Sequence, residues 1–216
     1  LGLMGITAIF SMFMSNTATT ATMMAVIIPV LAQAPAGDRF RAGLALSIPV
    51  AANIGGIGTP IGTPPNAIAL GALAQKGIKI GFMQWTMMAV PFMILILLIS
   101  WFILATMFRS SQKEIRLTIQ SKFDKSLPAI LFYIVFVVTI GLWFTEALHG
   151  LSSNVVGFFP VAALLATRVF TSKDLKNIDW HVLWLLAGGI ALGVGVSKTG
   201  LDLWMVNLVA WNKLAP

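Results

Sequence analysis

Residues 82–107, FMQWTMMAVPFMILILLISWFILATM, run for 26 residues without one charged side chain. A helix needs about 20 predominantly apolar residues to cross the hydrocarbon core of a bilayer, so this stretch decides the solvent before it decides the fold. Residues 127–147, LPAILFYIVFVVTIGLWFTEA, form a second spanning candidate, and 153–170 and 180–197 are shorter ones. Composition agrees: 58% of residues are hydrophobic and 10% charged, against about 25% charged in a soluble domain. The chain cannot cover a globule with polar side chains. It reads as an all-α integral membrane protein.

The net charge of +7 does not point to nucleic acid, because the basic residues fall in short clusters between apolar runs. That is how topology signals are distributed. Cysteine is absent, which excludes disulfides and thiol metal sites. The chain begins at Leu1 inside an apolar run and has no charged leader, so it is expected to be an internal piece of a longer membrane protein or an incomplete gene product.

The first 75 residues differ from the rest. The arms 1–14 and 18–34 are each short of a span and flank the polar Ser15-Asn16-Thr17. Apolar arms of this length are more often re-entrant than spanning, so residues 1–34 are expected to form a hairpin that enters and leaves on one side. Residues 42–75 are long enough to cross but are interrupted by NIGGIGTPIGTPPN, giving a broken transmembrane helix. The remaining divisions are a span at 82–108, a cytoplasmic loop at 109–126, two spans within 127–170, and a span with its continuation at 180–216. With the hairpin opening to the cytoplasm, the inside loops hold Arg39, Arg41, Arg109, Lys113, Arg116, Lys122, Lys125, Arg168, Lys173 and Lys176. Lys76, Lys79, Lys198 and Lys213 lie outside. This is the bias expected of cytoplasmic loops.

Non-helical backbone is tolerated at membrane depth only where protein or a water-filled cavity satisfies its polar groups. At Ser15–Thr17 a second arm begins, so its free N–H groups and positive dipole end make an anion site. Asn16 adds an amide, and Thr17, Thr19, Thr20 and Thr22 add hydroxyls. Between Gly55 and Asn66 lie four glycines and three prolines, which block helix continuation and allow unusual dihedrals. The expected result is an unwound segment whose free carbonyls, with the Thr59 and Thr63 hydroxyls, are hard oxygen ligands for an alkali cation. Broken-helix transporters combine these two devices near the midplane. Each alone has a plainer reading, an N-cap for one and a kink or loop for the other. Together they indicate a transporter.

Other chemistry finds no support. Neither GGIGTPIG nor GGIALGVGVSKTG matches a dinucleotide or phosphate-loop pattern. His149 and His181 sit at span edges, and Asp38, Glu114, Glu146, Asp174, Asp179 and Asp202 lie in loops or at span ends, so an enzyme is not expected. Trp85, Trp101, Trp143, Trp180 and Trp211 include several near span ends, where an aromatic belt sits. A channel would need a continuous polar lining, whereas the hydroxyls cluster at two spots.

MSNTATTATMMAVIIPV followed by NIGGIGTPIGTPPNAIALG resembles the divalent anion:sodium symporter family of the ion-transporter superfamily. DWHVLWLLAGGIALGVGVSKTGL is similar to that family's second-half helix leading into a second hairpin. The resemblance implies an inverted-repeat secondary transporter fold with re-entrant hairpins and mid-membrane broken helices, of which this chain carries the end of one repeat and the start of the next. It implies sodium held by Ser11, Ser15, Asn16 and Gly62, and a substrate carboxylate near Asn16, Thr17, Thr63 and Pro64. It also implies a homodimer with a moving transport domain and an elevator-type mechanism. The expected location is the bacterial inner (plasma) membrane.

One inference rests on the residues alone. Residues 1–75 contain no histidine or glutamate and one aspartate, Asp38. Proton coupling normally uses an ionisable residue at depth, so neutral oxygen ligands favour sodium as the coupling ion. The expected activity is sodium-coupled transport of a small divalent anion, first a C4-dicarboxylate. Sulfate, another oxyanion, citrate and sodium-independent dicarboxylate exchange stay open beside it.

Overall fold

The computed structural model describes residues 1–33, 35, 37–109, 124–178 and 180–208. Lys113, Glu114, Arg116, Lys122, Asp179, Trp211 and Lys213 therefore lie outside the described residues, as does most of the loop 109–126. Every regular element among the described residues is helical: α1 (Gly2–Ser11), α2 (Asn16–Gln33), α3 (Arg39–Gly55), α4 (Pro64–Gln75), α5 (Phe82–Met107), α6 (Leu127–Phe144), α7 (Glu146–His149), α8 (Ser153–Ala166), α9 (Ser172–Lys176), α10 (Trp180–Thr199) and α11 (Leu201–Asn207). A short 3-10 turn, Gly56–Gly58, extends α3. Among the described residues, four helices are long and apolar enough to cross a membrane: α3 with its 3-10 extension, α5, α6 and α10. α1, α2 and α8 are apolar but shorter. The run 153–170 yields a helix of 14 residues, because the chain turns at Thr167 and Arg168 takes a left-handed conformation with φ 56°.

α1, α2 and α3 form the best-packed part. Met4, Ala8, Ala51, Ile54, Met93 and Leu97 bury one cluster between α1, α3 and α5, and Met23, Ile27 and Ile48 bury another between α2 and α3. Small residues allow the close approach: a Cβ on Gly55 would lie 2.3 Å from the Ala8 carbonyl oxygen. Thr7 and Ser47, also buried, return their hydroxyls to the carbonyls of Leu3 and Leu44, both at 2.7 Å. This back-bonding satisfies a polar group that has no water to turn to.

A second junction joins α5, α6 and α8. Phe82 is fully buried and stacks on Trp143 with ring centroids 5.2 Å apart. The Trp143 indole donates to the Ser153 carbonyl at 3.1 Å. One Glu146 carboxylate oxygen accepts from the Phe82 N–H and the Ser153 hydroxyl, each at 3.0 Å. Glu146 thereby satisfies the first amide of α5, an orphan donor of any helix start, and ties it to the start of α8. His149, placed at a membrane edge by sequence, is part of a cap: its Nδ1 accepts from the Leu151 N–H at 3.0 Å and its Nε2 lies 2.8 Å from the Leu142 carbonyl.

Candidate functional site

α1 ends at Ser11, and the turn 12–15 reverses the chain into α2 at Asn16. α3 gives way at Gly55 to the 3-10 turn, and Thr59 and Thr63 are extended before α4 begins at Pro64. Proline at the first helical position costs nothing there, since its missing N–H would have had no partner. These two interruptions meet. The buried Ser11 hydroxyl donates to Asn16 Oδ1 at 2.9 Å. A Cβ on Gly56 would lie 2.5 Å from that same Oδ1. A Cβ on Gly62 would lie 2.5 Å from the Gly56 carbonyl oxygen and 3.0 Å from the Ser11 carbonyl oxygen.

Only glycine fits at position 62, and the backbone oxygens of Gly56 and Ser11 that crowd it lie near the Ser11 hydroxyl and the Asn16 amide oxygen, a cradle of neutral oxygens. Ser11, Asn16 and Gly62 are brought together. Ser15 is used otherwise: its hydroxyl accepts from the Ala18 N–H at 3.2 Å and its carbonyl from the Thr19 N–H at 2.9 Å, so it caps α2. Of the residues expected at the substrate, only Asn16 makes a side-chain bond in the cluster. Thr17 is exposed, Thr63 caps α4 in position but without a side-chain bond, and Pro64 is the first residue of α4. Among the described residues, no group of three or more His, Asp or Glu side chains could hold a metal ion.

The break departs from expectation in one respect. Its carbonyls are not generally free. Asn66 Nδ2 donates to the carbonyls of both Gly56 and Thr59 at 2.8 Å, and the Trp85 indole donates to the Ile57 carbonyl at 3.0 Å. The Thr59 hydroxyl, expected as a cation ligand, donates to the Met12 carbonyl and ties the break to the end of α1. The reason is general: a buried backbone group outside a helix costs free energy unless something bonds it. The second lone pair of a carbonyl still leaves it able to face a cation.

Asn53 and Asn66, the two ends of NIGGIGTPIGTPPN, carry roles that spacing alone does not assign. An amide three residues after the turn residue Thr63 is the one signal for the Asn66 stitch. Asn53 lies in α3 and accepts from Asn16 Nδ2 at 3.0 Å, across 37 positions of sequence. Only the packing of α2 on α3 reveals that pair.

In this all-helical chain the turn between α1 and α2 meets the break between α3 and α4 at uncharged oxygens. The family described as Citrate transporter matches residues 1–215, and the chain belongs to that family, within the ion-transporter superfamily. The chain is similar to the low-affinity phosphate transporter PHO90 of Saccharomyces cerevisiae, 32% identical over 194 residues that make up 88% of this chain and 22% of the yeast protein. It is similar to an uncharacterized transporter of Haemophilus influenzae, 33% identical over 90% of this chain and 45% of that protein. It is also similar to the sodium-dependent dicarboxylate transporter SdcS of Staphylococcus aureus, 29% identical over 100% of this chain and 49% of SdcS. The chain thus spans about half or less of the length of these relatives.

Proposed function

We propose that the full-length protein carrying this chain is a sodium-coupled secondary transporter of a small divalent anion, with a C4-dicarboxylate as the first substrate class. One observation carries the reading: Ser11, Asn16 and Gly56 bring neutral oxygens together beside Gly62, where the α1–α2 turn meets the α3–α4 break. Residues 1–75 offer no histidine or glutamate to carry a proton instead. Sodium at the cradle would supply the positive charge an anion needs, and the free amides at the start of α2 would face that anion. The name of SdcS supports both sodium and dicarboxylate.

In this reading α1 and α2 form a re-entrant hairpin opening to the cytoplasm and α3–α4 is the broken crossing helix. α5, α6, α8 and α10 are the spans, with α8 the shortest. The protein works as a homodimer with an elevator-type motion. The test is radiolabelled succinate uptake into proteoliposomes of the full-length protein, at fixed pH, with sodium or choline outside. Sodium-dependent accumulation is expected. Uptake unchanged in choline sinks the coupling, and uptake only after preloading with unlabelled dicarboxylate marks an exchanger.

A second reading takes phosphate or another tetrahedral oxyanion as substrate. The similarity to the phosphate transporter PHO90 favours it. The same assay with labelled phosphate separates the two, since only the true substrate accumulates above the choline control.

A further inference from the structure

The Asn16 amide has two chemically opposite ends, and its orientation decides what each ligand meets. Its oxygen accepts from Ser11 and lies against Gly56, on the side of the cradle. Its nitrogen donates to Asn53 Oδ1 at 3.0 Å. With the Ser11 hydroxyl on its oxygen and the Asn53 oxygen on its nitrogen, the Asn16 amide is held between two elements, α1 and α3. An amide carries two N–H bonds, so one remains on Asn16 and two on Asn53. Asn53 makes no other side-chain bond among the described residues, and it is exposed whereas Ser11 is buried. Asn53 thus carries two N–H donors without a bond among the described residues, on an exposed side chain next to Asn16.

We infer that Asn53 is the positioning and specificity residue of this site: it fixes the Asn16 oxygen toward the cation and presents its own amide donors to an anionic oxygen of the substrate. The inference deepens the proposed sodium-coupled anion transport and rests on it. Asn53 supplies an acceptor to Asn16 and donors to the anion, and substitution separates the two. Asn53→Ala removes both. Asn53→Asp keeps the acceptor, removes the donors and adds a negative charge facing the substrate.

The experiment measures succinate uptake by the full-length protein in proteoliposomes at pH 7.5, with sodium and succinate titrated separately. Asn53→Ala is expected to raise both the sodium half-saturation and the succinate KM by roughly five- to tenfold, the scale of one lost hydrogen bond. Asn53→Asp is expected to leave the sodium half-saturation unchanged or lower and to raise succinate KM at least about tenfold, through lost donors and like-charge repulsion. The maximal rate of both variants should change far less than these constants. A structural role for Asn53 would move both constants together in both variants, and that result would overturn the inference, as would an Asn53→Ala protein with neither constant changed. If Asn53→Ala fails to fold, Asn53→Asp carries the test through its split. A wild type indifferent to sodium would defeat the proposed function and the inference together, whereas a sodium-dependent wild type with unsplit variants defeats the inference alone.

Discussion

The α3–α4 region and α10 are both glycine-rich apolar segments, and they treat their glycines in opposite ways. At Gly55, Gly56, Gly58 and Gly62 an added Cβ would meet another atom within 3.0 Å, most severely the Ala8 backbone. At Gly188, Gly193 and Gly195 of α10 it would meet nothing within 4 Å, and at Gly189 only the end of Ile68 at 3.2 Å. Burial follows the same division: 44% of the α3 span is buried and none of the α10 span. Glycine content alone therefore says little. What matters is whether another part of the chain occupies the space; among the described residues, Gly55 and Gly62 meet a second backbone.

That contrast is broken most severely at Gly55. Gly55→Ala should destabilise the full-length protein by about 1–3 kcal/mol, the usual cost of overpacking against atoms that cannot rotate away. Gly193→Ala should be neutral or stabilising by up to roughly 1 kcal/mol through helix propensity. Thermal unfolding of the two variants in detergent decides it, and equal melting shifts would erase the distinction.

Asn16→Ala sharpens the functional side. It removes an acceptor at the cradle and a donor to Asn53, each worth on the order of 1–3 kcal/mol if its partner is left unpaired. Sodium and substrate affinity in the uptake assay should both fall, while the melting temperature moves less than in Gly55→Ala. Near-normal uptake would reduce Asn16 to a helix cap.

Away from the break, Trp143→Phe keeps the stacking on Phe82 and loses the bond to the Ser153 carbonyl. A loss of about 1 kcal/mol is expected, read as a modest drop in melting temperature with uptake kinetics unchanged.

The smallest effect lies at α9. The Thr171 hydroxyl, then the Thr171 N–H, hold the Asp174 carboxyl below its ordinary value, with contacts of 2.6 and 2.8 Å. Because the folded-state value is depressed, the stabilisation is present above the usual carboxylate range near 4 and disappears as pH falls through the lowered value. Thr171→Val should speed amide exchange of residues 174–177 relative to wild type at pH 7, and the difference should vanish in strong acid.

The break and the start of α4 are legible in the sequence, and Asn16 stands out there, because each depends on local chemistry: prolines, glycines and a polar tip between apolar arms. The membrane is legible for the same reason. The division of labour at the tip is less legible. Ser15 and Asn16 are adjacent and equally polar, yet one hydroxyl is taken up by the Ala18 amide while the neighbouring amide reaches α3. Asn53 opens the NIGGIGTPIGTPPN interruption, but nothing local shows that it pairs with Asn16. Free carbonyls were expected at the break, but the donors that bind them come from Asn66 and Trp85, residues 10 and 28 positions from their acceptors.

Asn66 has a mechanical consequence. By gripping the carbonyls of Gly56 and Thr59 together, it cross-braces the two half-helices over the interval where a ladder of backbone bonds is lost. An unbraced break would be a swivel, and force applied to α4 would be dissipated in the torsions of the loop. With the brace in place the half-helices are joined by side-chain bonds as well as by the chain, which resists a change in the angle between α3 and α4.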